Sequence, residues 1–293
     1  MSDAHKGQII RYTVYKRVSH RKRIIKYAIY KRVAQAAFLL TLSALFAVIL
    51  FILARGLPHI EMRHIFGDYG KTPSLKPAFA GTAYLIIISI SIAAPLGIGS
   101  AVFLTEYTKS RSRLVKIIRI AIETLAGIPS IVYGIFGYLV FVVALGLRYS
   151  LLGGGITLAV MILPVIVRST EESLLAVPQA IREGSFALGS SKVRTIFSVV
   201  LPSAASGIVT SLILAIGRVL SESAVLILTI GMVVNKMPES FSSPGTSLAL
   251  DVYYFGSHGY PELAAATGAI LLLLVGLINL LAAAVVAKTR LTQ

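Results

Sequence analysis

Of the 293 residues, 56% are hydrophobic and 14% charged, with a mean hydropathy of +0.83; a soluble domain is about half apolar and about a quarter charged, so this composition belongs to the bilayer. The absence of cysteine excludes disulfides, thiol catalysis and cysteine-based metal sites, and the scattered His5, His20, His59, His64 and His258 lack ligand spacing, so no metal or other cofactor is expected. The net charge of +16 is spread in short blocks between apolar runs, which is a topology signal and not a nucleic-acid-binding face.

Residues 1–33 hold ten of the 28 Lys and Arg residues. Two near copies, IIRYTVYKRV at 9–18 and IIKYAIYKRV at 24–33, lie 15 residues apart. At 3.6 residues per turn that separation brings them to similar helix faces. A basic, Tyr-bearing helix suits anionic membrane lipids; a duplicated topology anchor accounts for the same residues, and the strength of the positive-inside signal favours the anchor. The first apolar run starts far from Met1 and no small-residue cleavage pattern follows it, so no cleavable signal peptide is expected.

Six segments approach the roughly 20 apolar residues that a spanning helix needs: 34–54, 82–104, 127–147, 151–167, 204–230 and 263–287. With the N-terminus inside, the cytoplasmic segments hold 21 Lys and Arg residues and the external ones six, with Arg218 inside a span; both termini are therefore expected in the cytoplasm. Pro95, Gly97 and Gly99 fall in the second span, Pro129 opens the third, and Gly153–Gly155 and Pro164 bracket the fourth. Broken backbone at membrane depth survives where protein or a watery cavity covers it, and it often lines transport sites; ordinary packing also accounts for these residues. Gly70-Lys71-Thr72 mimics the end of a P-loop, but Ile65 stands where glycine is required and the triplet falls in an external loop, so no ATP site is expected.

Between the fourth and fifth spans, residues 183–202 read EGSFALGSSKVRTIFSVVLP. A short helix from Glu183, stopped at Gly189 by a left-handed turn, is followed by a second one running to Pro202. This hairpin makes a compact knob on the side that the charges assign to the cytoplasm. It resembles the coupling loop of ABC importer permeases: Glu183 matches the acid, Gly189 the glycine, and Leu201 and Pro202 the closing pair. Gly184 and Ser185 replace two alanines, and Val199 stands for an isoleucine.

Within the fifth span, GRVLSESA places Arg218 and Glu222 four residues apart, hence on one helix face. A mid-membrane ionisable residue costs about 2.5–3.5 kcal/mol or more and normally marks a pathway. The planar Arg fork suits a tetrahedral oxyanion, and Glu222 balances it between transport events. A purely structural ion pair is the alternative. This segment resembles phosphate permeases, in which it usually reads GR, two residues, GETA; Ser221 and Ser223 replace Gly and Thr. ETLAGIPSIVYG at 123–134, LPVIVR at 163–168 and VPQAIR at 177–182 fit the same family, and the order looks most like the PstA type.

The resemblance covers about 77–287, while the N-terminal repeat lies outside it. It implies an all-α membrane protein with a six-helix type I ABC importer transmembrane domain, N-in and C-in. The expected organisation is a basic segment at 1–33, a first span and external loop at 34–76, and a permease core at 77–288. The implied function is phosphate import driven by ATP that a partner hydrolyses. The implied partners are a PstC-type second permease, two PstB-type ATPase subunits and an extracytoplasmic PstS-type binding protein. A permease of the same fold for molybdate, sulfate or phosphonate stays open, as does a non-ABC channel, against which the coupling loop speaks.

Overall fold

The computed structural model describes residues 3–67, 73–108 and 112–290, with backbone alone at 3–25, 28, 66 and 285–290. The Gly70-Lys71-Thr72 triplet and the side chains of the first N-terminal repeat lie outside the described residues. Every regular element among the described residues is helical. The chain divides into two units, one ending at Ala54 and one beginning at Arg55.

Helix α1 runs unbroken from Asp3 to Gly56. No Gly or Pro occurs between Gly7 and Gly56, so nothing in the covalent structure stops it. Both repeat copies thus lie on the helix that continues into the first apolar run. Along that run Phe38, Leu40, Leu45 and Leu50 are exposed, as suits side chains solvated by lipid.

The second unit is built on three long helices: α3 (Lys76–Val102, continued by a π turn at Phe103–Tyr107), α6 (Leu151–Leu175) and α9 (Leu201–Leu220). Their shared core includes Leu85, Ile88, Leu158, Ile162, Ile166, Ala215 and Val219. A second cluster, with Ala101, Leu104, Val167, Leu174, Val200 and Ala204, closes one end of the bundle. Several buried hydroxyls bond back within their own helices, as Ser89 does to the Leu85 carbonyl (2.7 Å) and Thr157 to that of Gly153 (2.7 Å), whereas the buried Thr170 hydroxyl on α6 has no partner.

The helix breakers separate into two kinds. α3 passes through Pro95, and α6 passes through Gly153–Gly155 and Pro164, without interruption. The α6 glycines serve packing: a Cβ on Gly155 would come within 2.6 Å of Ile88. Pro129 does break the chain, between α4 (Arg113–Ala126) and α5 (Ser130–Gly137, continued by a π turn at Tyr138–Ala144), which meet at 99°.

Five helical stretches are long and apolar enough to cross a membrane: Ile29–His59, Lys76–Tyr107, Leu151–Leu175, Lys192–Leu220 and Pro261–Ala284. The bent α4–α5 pair makes a sixth if it crosses as one. The protein is therefore an all-α, multi-pass membrane protein. Residues 113–126, between the expected second and third spans, fold as α4 and pack on α6.

Candidate functional site

Helix α9 ends at Leu220, with Ser221 as its C-cap, and the chain resumes as the short α10 (Ala224–Thr229). The continuous span expected over 204–230 is thus interrupted at Ser221-Glu222-Ser223. This corrects the shared-face geometry of Arg218 and Glu222: Arg218 lies in the last turn of α9 and Glu222 in the break that follows it, and the described ion pairs do not join them. Each charge instead sits at a helix end that favours it. Arg218 is in the last turn of α9, where a cation complements the negative helix end. Glu222 Oε1 accepts from the Val225 amide (3.3 Å), meeting an otherwise orphaned donor at the start of α10.

The α4–α5 break lies beside this one. A Cβ on Gly134 would come within 3.1 Å of Val225 Cα and 3.2 Å of the Ala224 carbonyl oxygen, so glycine at 134 lets α5 approach the α10 backbone closely. Tyr133 donates to the Leu125 carbonyl across its own break (2.7 Å). Tyr133, Val219 and Val225 share one buried cluster, with Ile128 packed against it. The 123–134 and 217–224 segments, about 90 residues apart in sequence, thus converge on a half-buried Arg218. Among the described residues this guanidinium has no carboxylate partner.

The other sequence-singled segment forms a helical hairpin. α7 spans Gln179–Ala187, so Glu183 falls within it. Gly189 has φ +77°. Its amide donates to the Phe186 carbonyl (2.9 Å) and that of Ser190 to the Ser185 carbonyl (3.2 Å), the paired bonds of a Schellman cap. Ser185 and Thr195 share a buried hydroxyl–hydroxyl bond of 2.9 Å that closes the hairpin. The second arm, α8 (Lys192–Thr195), passes through a π turn at Ile196–Val200 into α9. Leu201 and Pro202 therefore lie within the Lys192–Leu220 spanning stretch, where α9 follows the π turn, and do not end a separate helix; Pro202 is in the first turn of α9.

Three ion-pair systems were not legible beforehand. Arg119 on α4 donates from Nε to Glu171 of α6 (2.9 Å). Arg168 joins Glu123 (2.9 Å) to Glu172 (2.8 Å). Arg182 on α7 pairs with Glu106 beyond α3 (3.0 Å). At the opposite end of the bundle, α11 (Leu248–Ser257) packs on α12 (Pro261–Arg290). There Asp251 is fully buried, accepts from the Thr246 hydroxyl, and leaves Oδ2 without a partner. Burial pushes its carboxyl up to about 7, against the opposing pull of the Thr246 hydrogen bond.

Comparison with known proteins places this architecture. Residues 93–291, more than half of the chain, match the family described as binding-protein-dependent transport system inner membrane component. The "Probable ABC transporter permease protein YqgI" of Bacillus subtilis (strain 168) is 37% identical over 188 residues, covering 60% of this chain and 64% of that protein. YqgH of the same organism is 37% identical over 199 residues, with 66% and 62% covered; the chain thus spans slightly less than two thirds of either Bacillus relative. The phosphate transport system permease protein PstA of Xylella fastidiosa (strain 9a5c) is 33% identical over 227 residues, covering 75% of this chain and 78% of that protein. A solved inward-facing structure of the MetNI methionine ABC transporter aligns with a TM-score of 0.58 at 21% identity, over 73% of this chain and 94% of that one; at that identity the likeness is one of fold. The chain belongs to the binding-protein-dependent transport system inner membrane component family, among the permeases of ABC transporters.

Proposed function

We propose that the chain is the PstA-type permease subunit of an ATP-driven importer of inorganic phosphate. One observation carries this reading: Arg218, without a carboxylate partner among the described residues, sits in the last turn of a helix long and apolar enough to cross the membrane, where that helix breaks beside a second broken helix. An anion crossing a low-dielectric zone loses water's solvation. A single guanidinium lowers that barrier, whereas a full cationic cage would hold the ion too tightly to release it. The likeness to PstA supplies the anion's identity. Glu222, engaged at the start of α10, tempers the local charge without neutralising Arg218 directly.

In this reading the α7–α8 hairpin, with Glu183, Gly189, Leu201 and Pro202, couples the permease to its ATPase, and 77–288 forms the permease core. A PstC-type permease completes the heterodimer, two PstB-type subunits hydrolyse ATP, and a PstS-type protein delivers phosphate from outside. The α4–α5 pair crosses as one span, giving six spans with both termini cytoplasmic. Reporters fused after Lys192 should read cytoplasmic and after Lys236 external; either one reversed overturns this orientation.

Substrate identity is tested by purifying the assembled complex under mild conditions and identifying its binding protein. A co-purifying protein that binds phosphate in preference to molybdate, sulfate and phosphonate supports the assignment. One that prefers another of these oxyanions moves the chain to that substrate.

A further inference from the structure

We infer that Arg182 is a positioning residue that carries movement of the α7–α8 hairpin into the membrane helices, with Glu106 as its anchor. The inference rests on the permease reading above and adds a residue pair to it.

One guanidinium joins three elements. Arg182 sits in α7. Its Nε and Nη2 both donate to Glu106 Oε1, at 3.2 and 3.0 Å, and Glu106 lies in the π turn that ends the α3 span. Nη2 also donates to the Leu174 carbonyl (2.8 Å) and Nη1 to that of Val177 (2.6 Å). Those carbonyls lie at and just past the end of α6, the negative helix end, where a cation is favoured. The side chains of Arg182 and Glu106 are 12% and 11% exposed, so the pair is largely withdrawn from water and breaking it leaves a buried charge uncompensated.

Lys192 of α8 adds a weaker contact to the same π turn, its Nζ 4.9 Å from the centre of the Tyr107 ring. No residue of α7 belongs to the apolar clusters formed by the described residues. Arg182, Glu106 and Lys192 line a cavity of about 460 Å³ between the hairpin and the helix ends. Across that gap continuous apolar packing is replaced by directional bonds, which resist both separation and sliding. α3 and α6 pack along their lengths, so a displacement delivered through Arg182 reaches both together. Lysine at 182 keeps the charge but lacks the planar fork that serves a carboxylate and two carbonyls at once.

The experiment uses the full complex in proteoliposomes with its ATPase and binding protein, and measures [32P]phosphate imported per ATP hydrolysed. Glu106→Gln keeps the side-chain volume and leaves the carbonyls of Leu174 and Val177 in place for Arg182. Glu106→Gln and Arg182→Lys are each expected to assemble and hydrolyse ATP while the ratio drops at least tenfold. Where Arg182→Lys does not assemble, Glu106→Gln decides. A merely structural pair lowers complex yield, uptake and hydrolysis in parallel and leaves the ratio at the wild-type value; that result, or a normal ratio at normal yield, overturns the inference. A wild-type complex without ATP-dependent phosphate uptake overturns the permease function instead, so the two failures are distinct.

Discussion

Gly189 offers the cleanest perturbation of the hairpin, because its conformation and its surroundings separate. Its φ of +77° lies in the left-handed region, and a Cβ added there meets nothing within 4 Å. A substitution therefore introduces backbone strain without a clash. An L-residue held there costs about 1–2 kcal/mol, a factor of roughly 5–30 in the balance between the capped turn and its opened forms. Asn visits this region more readily than Ala, and β-branched Val is the worst placed of the three. The amides of Gly189 and Ser190, which close the Schellman cap, should exchange with deuterium faster in the order Gly, Asn, Ala, Val, with Ala roughly 5–30-fold faster than Gly. Uptake in membranes with quantified protein should fall in the same order. Gly189→Val with wild-type exchange and normal uptake would refute both the cap energetics and the coupling role of the hairpin.

Two further expectations follow from charges in the second unit. Arg218→Gln should abolish phosphate uptake at normal membrane level, and Arg218→Lys should retain little, because the fork is lost; since Glu222 lies in the break that follows α9 and the described ion pairs do not join it to Arg218, the charge-swapped double mutant should not restore transport. Asp251 should make stability pH-dependent: its folded-state carboxyl sits at about 7 against an ordinary 3.8, so stability is fullest below about pH 4 and declines as pH rises through 7, by about 4 kcal/mol in all. Thermal melts in detergent followed by circular dichroism should show Tm falling between pH 5 and 8 in wild type and flat in Asp251→Asn; a flat wild-type profile contradicts the burial argument.

Much of the fold is legible because lipid imposes long apolar runs, which reveal five spanning helices without tertiary information. The turn at Gly189 is equally legible, since a glycine between two short amphipathic stretches has few other uses. The break at Ser221-Glu222-Ser223 is hidden because VLSESA carries neither Gly nor Pro; just beyond it, α5 approaches the α10 backbone closely at Gly134. Pro95 and Pro164 mislead in the opposite direction, since neighbouring helices support a spanning helix through a proline. The pairs Arg119–Glu171 and Arg182–Glu106 join residues 52 and 76 positions apart, a separation that no local pattern encodes. Asp251 looks like an ordinary first-turn carboxylate until α11 buries it.

In the proposed function Arg218 lies on the path of phosphate through a permease powered from outside its own chain. The most direct measurement is ATP-dependent [32P]phosphate uptake by the complex in proteoliposomes, wild type against Arg218→Gln, with assembly and ATPase content matched. Saturable uptake by the wild type that requires both ATP and the binding protein is expected, with none above background for the variant. Uptake by Arg218→Gln near the wild-type rate would contradict that role for Arg218.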